Sequence, residues 1–219
     1  MTHGDDKGVV LPPRVSQVQA VVVPIPNSKL SPEEVSAMLA KAKEIEEGLK
    51  AVGVRVTVDA RDNYTPGWKY NYWELRGVPL RIELGPKDMG AGTVMLARRD
   101  TGAKQSTPWD ELPTHVSALL EQIQKDMLSA AKGRFDACLE KVNTWEEFMA
   151  ALGRKHMALA PWADEEEIEE DVKKRSASKD AMGAKTLCIP LDQPELPPGT
   201  VCFASGKPAK NWALWGRSY

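Results

Sequence analysis

Residues 18–58, VQAVVVPIPNSKLSPEEVSAMLAKAKEIEEGLKAVGVRVTV, decide the fold. Val18 to Pro24 is a nearly continuous apolar and β-branched run, the mark of a central strand buried on both faces. Ser31 then supplies a helix N-cap, Pro32 suits the first helical position, and Glu34 completes a capping box. Val35, Met38, Leu39, Ala42, Ile45, Leu49 and Val52 recur on one helical face, and Gly53 caps the end. Val54, Val56 and Val58 alternate with Arg55, Thr57 and Asp59, the pattern of a second strand. A strand, a crossover helix and a strand predict a parallel pair in an α/β layer fold.

On the C-terminal side, DNYTPG (62–67) is turn chemistry, and Trp68–Arg76 is expected to be a short helix ending at Gly77. Leu80, Ile82 and Leu84 form the apolar side of the next strand, with Arg81 and Glu83 on its other face and Gly85-Pro86 as its break. After a flexible MGAG (89–92), Thr93–Arg99 reads as a strand, Asp100–Gly102 as a turn, and Pro113 towards Val142 as a long helix. Gly133 is that helix's weakest point and a plausible domain boundary. Beyond it, Thr144 and Glu147 make another capping box, and Lys155–Trp162 and Lys185–Pro190 read as strands. The acidic run 164–171 reads as a solvated helical face, and Val201–Ala204 is expected to pair with Asn211–Trp215 as a hairpin. On the N-terminal side, residues 1–16 read as the tail of something larger followed by a linker.

The 219 residues allow one large domain or two small ones, and 42% hydrophobic with 27% charged is a globular composition. No apolar run approaches the ~18 residues of a membrane span, and the N-terminus lacks the layout of a signal peptide. Three cysteines at irregular spacing, Cys138, Cys188 and Cys202, argue against a disulfide framework and fit a reducing compartment. A net charge of −2 excludes a blanket electrostatic grip on nucleic acid, so any RNA site must be local. The segment Gly67–Asp88 is the candidate, because Trp68, Tyr70, Tyr72 and Trp73 interleave with Lys69, Arg76, Arg81 and Lys87. Rings stack on any unpaired base, and cations neutralise phosphate or donate to base edges. From Gly67 to Lys104 seven Lys or Arg stand against four Asp or Glu, a local cationic excess. No Ser/His/Asp or Cys/His constellation is readable, and His3, His115 and His156 are given no catalytic role; His115 falls in a predicted helix and His156 in a predicted strand.

Several segments in order, THGDDKGVVLPPRV (2–15), VQAVVVPIP (18–26), DARDNYTPGWKYNYWELRGVPLRIELGPKDM (59–89), ARRDTGAK (97–104), AKTLCIP (184–190) and KPAKNWALWGRSY (207–219), make the chain resemble the C-terminal portion of a eukaryotic/archaeal-type prolyl-tRNA synthetase. The resemblance implies a remnant of the class II catalytic domain near motif 3 and a linker over 1–16. It implies a class IIa anticodon-binding fold, a mixed five-stranded sheet flanked by helices, over 17–133, and a small α+β domain over 134–219. It further implies tRNA anticodon recognition within a cytoplasmic, homodimeric ligase that joins proline to its tRNA using ATP and Mg²⁺. Most of the catalytic domain is not among these residues, so this chain alone is expected to form no adenylate. Proline tRNA is the expected partner, with no membrane and no DNA. The competing expectation is a protein-interaction module on the same fold without RNA binding.

Proline anticodons share two adjacent guanines, whose O6 and N7 accept and whose Watson–Crick edge donates. The positions the resemblance assigns to reading them are Glu74, Arg81, Lys87 and Lys104. Tyr70 either stacks on a base or packs in the core, while Trp68, Tyr72 and Trp73 are assigned mainly to packing. The terminal Tyr219 is expected to face the catalytic site of the whole enzyme. Many members of this family hold a structural zinc with four cysteines; the corresponding positions here are Ala163, Ile168, Cys202 and Ala204. One thiolate cannot make a closed zinc site, so no zinc is expected and those positions are expected to be packed with apolar side chains.

Overall fold

A computed structural model describes residues 2–179 and 181–218, so the role expected of Tyr219 lies outside the described residues. The chain divides into two compact units, Met1–Ala131 and Lys132–Tyr219.

The first unit begins with a small antiparallel hairpin, β1 (Gly4–Asp5) with β2 (Gly8–Val9). Then come β3 (Ala20–Pro24), α1 (Pro32–Ala51), β4 (Val56–Val58), α2 (Pro66–Leu75), β5 (Leu80–Leu84), α3 (Pro86–Ala91), β6 (Thr93–Arg98), β7 (Lys104–Pro108) and α4 (Leu112–Ala137), which carries the chain into the second unit. The five-stranded sheet runs β4-β3-β5-β6-β7; β3 pairs parallel with β4 and β5, while β6 and β7 are antiparallel additions. All five residues of β3 are buried, as its unbroken apolar run requires. Ser31 and Glu34 form the reciprocal capping box of α1.

Alternation along the strands divides the sheet into two faces. Ala20, Val22, Leu80, Ile82 and Leu96 bury against Met38, Ala42 and Leu49 of α1 and Val116 and Leu120 of α4. On the other face Val21, Val23 and Val78 lie beneath Tyr70 and Trp73 of α2. That face also carries Arg81 and Glu83, in register with Val21 and Val23 on one side and with Ala97 and Met95 on the other.

Three expectations need correction here. Residues 89–91 of the supposedly flexible MGAG are helical, because Asp88 folds back to accept from the Gly85 N–H at 2.9 Å and starts α3. Lys104 begins an edge strand rather than sitting in a loop. Residues 2–16 are not a free linker. Val10 packs on Ile123 and Met127, and the Arg55 guanidinium donates to the carbonyls of Pro13, Arg14 and Ser16. Gly77, at φ +69°, lets this segment in: a Cβ there would stand 2.8 Å from the Val9 carbonyl oxygen.

In the second unit, β8 (Leu139–Lys141), α5 (Trp145–Gly153), β9 (Met157–Trp162), α6 (Glu166–Ser176), β10 (Lys185–Cys188) and β11 (Asn211–Gly216) follow. Gly133 breaks nothing, since α4 is continuous through Ala137. The sheet order is β10-β11-β9-β8. The expected hairpin partner of β11 is wrong: Val201 makes only an isolated bridge to Pro208, while β11 lies between β9 and β10. Residues 202–203 turn into the core instead, Cys202 donating its N–H to Lys207 and Phe203 to Pro161. His156 likewise precedes β9, its ring 2.7 Å from Glu140.

Candidate nucleic-acid interface

The open part of the sheet beside α2 gathers four of the five proposed anticodon contacts. Register places Arg81, Ala97 and Lys104 in one row across β5, β6 and β7. Ala97 between them has no bulk, so the two long cations and the carboxylate of Glu83 meet over it. Arg81 Nη1 donates to Glu74 Oε1 at 2.9 Å, and Arg81 Nε to Glu83 Oε1 at 3.0 Å. Lys104 Nζ donates to both Glu83 oxygens at 3.0 and 3.2 Å. The Arg81 guanidinium carbon lies 4.0 Å from the centre of the Tyr70 ring. Burial, then the nearby Glu83 carboxylate, pushes the Tyr70 phenol up to about 12, so the ring stays neutral. Tyr70 thus takes part in the core and in the site at once, packed against the cluster of Val21, Val23 and Val78, with Arg81 over the ring.

Glu83 was not among the candidates, although its alternation with Arg81 along one strand was the signal. Lys87 stands apart. It occupies the first turn of α3, not a loop, and is exposed with no ion pair or hydrogen bond among the described residues. The cationic excess of the segment is mostly spent internally. Arg98 is forked to Asp100 and also bonded to Asp126; Lys69 is buried and donates to the Asp59 carbonyl; Arg76 lies over Tyr72.

Arg99 holds the site from behind. Its side chain is 4% exposed; it forks to Asp5 at 2.6 and 2.7 Å and donates through Nε to the carbonyl of Glu74 at 3.1 Å. The guanidinium holds the Asp5 carboxyl well below the usual carboxylate range. A cleft of about 190 Å³ opens here, lined by Trp73, Glu74, Val78, Arg81 and Arg99 among others.

The chemistry available is that of a paired acceptor and donor with spare capacity. Glu74 Oε2 and Arg81 Nη2 have no partner among the described residues. A guanine presents N–H donors on one edge and O6 with N7 on the next, which is the complement of a carboxylate set beside a guanidinium.

Residues 19–119 match the family described as an anticodon binding domain, and residues 145–219 match that described as prolyl-tRNA synthetase, C-terminal. The whole chain aligns at 53% identity with a cytoplasmic proline–tRNA ligase of Arabidopsis thaliana, of which it covers 41%. It aligns over its full length at 42% with a bifunctional glutamate/proline–tRNA ligase of Cricetulus griseus, covering 15%, and at 39% with a proline–tRNA ligase of Acetoanaerobium sticklandii, covering 43%. The chain belongs to the prolyl-tRNA synthetase family. It spans less than half the length of each of these relatives. The mixed five-stranded sheet with its flanking helices is the anticodon-binding part of that family, and the second unit is its C-terminal part.

The zinc cage that the family implies does not fit the residues present. Ala163, Ile168 and Cys202 are buried in one apolar cluster with Phe148, Trp162 and Trp215, and Ala204 packs on it. Three aliphatic side chains and one thiol give a single donor where four are needed. Among the described residues, no group of three or more His, Cys, Asp or Glu side chains is placed to hold a metal ion, and no helix is long and apolar enough to cross a membrane.

Proposed function

We propose that this chain is the anticodon-reading portion of a proline–tRNA ligase and recognises guanine in the anticodon of proline tRNA. The observation that carries this reading is the pairing of Glu74 with Arg81 at 2.9 Å on the uncovered part of the sheet, inside the residues that match the anticodon-binding family. Glu74 accepts from the guanine ring and exocyclic N–H groups, and Arg81 donates to O6 and N7. Glu83, shared between Arg81 Nε and Lys104 Nζ, fixes the guanidinium in place, and Lys87 is free to meet phosphate. Tyr70 supports the Arg81 guanidinium from below.

In the whole enzyme this reading implies attachment of proline to its tRNA with ATP and Mg²⁺ in a homodimer, by residues that lie outside this chain. A cytoplasmic setting follows the name of the Arabidopsis relative. The protein-interaction alternative has no observation in its favour.

The test is titration of the 219-residue chain with proline tRNA and with the same RNA carrying replaced anticodon guanines. Wild type is expected to prefer the guanine form. Glu74→Ala should lose about 1–3 kcal/mol of that preference, the value of one bidentate base contact. Discrimination unchanged in Glu74→Ala would reject its role. A steep salt slope alone reports phosphate contact only.

The second unit is proposed to fold without zinc. Overnight EDTA treatment is expected to leave its thermal midpoint where it was, and metal analysis to find no stoichiometric zinc. One zinc per chain, or a chelator-induced drop in midpoint, would overturn this, since structural zinc supplies folding energy outright.

A further inference from the structure

We propose that Tyr64, Trp68 and Tyr72 form a stacking platform for one further unpaired base of the tRNA, separate from the Glu74–Arg81 pair; this rests on the reading that the chain binds proline tRNA. Trp68 and Tyr72 were expected to be packing residues. Instead Trp68 is 40% exposed and Tyr64, from the preceding turn, 37%. Tyr64 and Trp68 stack with centroids 3.7 Å apart at 11°, and Trp68 and Tyr72 at 5.1 Å and 23°.

The ladder is organised before any ligand arrives. The Arg61 guanidinium carbon lies 4.3–5.2 Å from all three ring centres. Arg61 is itself fixed by a fork to Asp59 at 2.8 and 2.6 Å, and Asp59 also accepts from the Trp73 indole N–H at 2.8 Å. Arg76 closes the Tyr72 end at 3.5 Å. At the other end Tyr64 lines a cleft of about 300 Å³ with Pro24, Pro26, Asn63 and Lys69, outside the carboxyl ends of β3 and β4. Crevices at that edge of an α/β sheet are favoured ligand positions, and this volume is at the small end for ligand pockets, about 300–1,000 Å³.

The lining selects the occupant. Among the described residues the cleft is bordered by Tyr64 and three prolines, Pro24, Pro26 and Pro66, with the polar Asp62, Asn63 and Thr65, a flat, mixed wall rather than an aliphatic groove. An exposed ring face held in place by Arg61 suits a planar base. Tyr72 and Glu74 are two residues apart on α2, hence about 200° apart around its axis, so the base on the ladder is a different nucleotide from one held at Glu74.

The experiment compares Tyr64→Ala and Tyr64→Phe in the 219-residue chain. The ligands are the anticodon stem–loop of proline tRNA and the same RNA with its guanines replaced. Tyr64→Ala is expected to weaken both by about 5- to 150-fold, the worth of one base stacked on an aromatic ring, leaving their ratio unchanged. Tyr64→Phe, which keeps the ring, is expected to bind like wild type; Tyr64→Ala, which loses the stack on Trp68, is expected to show a slightly lower urea midpoint but to be fully folded under the binding conditions. Wild-type affinity in Tyr64→Ala, with guanine discrimination intact, overturns the platform alone. Failure of Tyr64→Phe to bind like wild type also overturns it. Equal wild-type affinity for the two RNAs overturns the Glu74 reading alone, and no binding by wild type overturns both.

Discussion

Replacing Arg81 with methionine is expected to lower the stability of the chain to urea by roughly 3 kcal/mol and to remove guanine preference altogether. Breaking a largely buried ion pair by deleting one partner typically costs ~3–5 kcal/mol, because the surviving charge keeps its desolvation penalty. The Arg81 side chain is 13% exposed, and it separates two carboxylates, Glu74 at 27% and Glu83 at 10%. Lys104 still neutralises part of Glu83, which places the loss at the lower end of that range. The double variant Arg81→Met with Glu83→Gln should recover part of it, since the more buried of the two carboxylates is no longer left charged without Arg81, while Glu74 still lacks its partner. Equal midpoints for the single and double variants would show that the charge network does not set the cost. Arg81→Lys keeps the charge without the fork, and is expected to retain stability better than recognition.

Trp215→Ala should cost roughly 3–5 kcal/mol, the range for truncating a fully buried large aromatic. Trp215 is 0% exposed on β11, a strand hydrogen-bonded on both sides. Its ring meets Phe148, Trp162 and Phe203 edge-on at 6.0, 5.8 and 5.4 Å. Its indole Nε1 is buried with no hydrogen-bond partner among the described residues. Trp215→Phe, which keeps a ring and removes that unpaired N–H, should therefore lose far less than the alanine variant. Chemical unfolding followed by tryptophan fluorescence separates the two. Similar losses for both would mean that refilling the space with a phenyl ring recovers nothing, against a cost set by cavity volume.

The parts of the fold that were legible from sequence are those with strong local chemistry. The capping boxes at Ser31 and Thr144 and the unbroken run at Val21–Val23 state their own structure. What escaped depends on distant partners. β7 (KQSTP) has no apolar alternation, because it is an edge strand in which only Thr107 is buried. The partners of β11 are β9 and β10, whereas the Gly206 and Pro208 turn signals favoured the local hairpin. Within the candidate site, Arg81 was readable from strand alternation, and the same alternation pointed to Glu83. Lys104 reached the site by β6–β7 register, which no local pattern encodes. The aromatic ladder was hidden because Tyr64, although four residues before Trp68, lies in the turn ahead of the helix start at Pro66. The i, i+4 spacing of Trp68 and Tyr72 nevertheless placed those two rings on one flank.

Arg99 has the plainest consequence for the molecule. One guanidinium holds Asp5 in the N-terminal hairpin and the backbone of Glu74 on α2. Loss of Arg99 would therefore release the hairpin's carboxylate and the Glu74 main chain together. The turn of chain before the sheet is thus pinned beside the site by a single buried side chain.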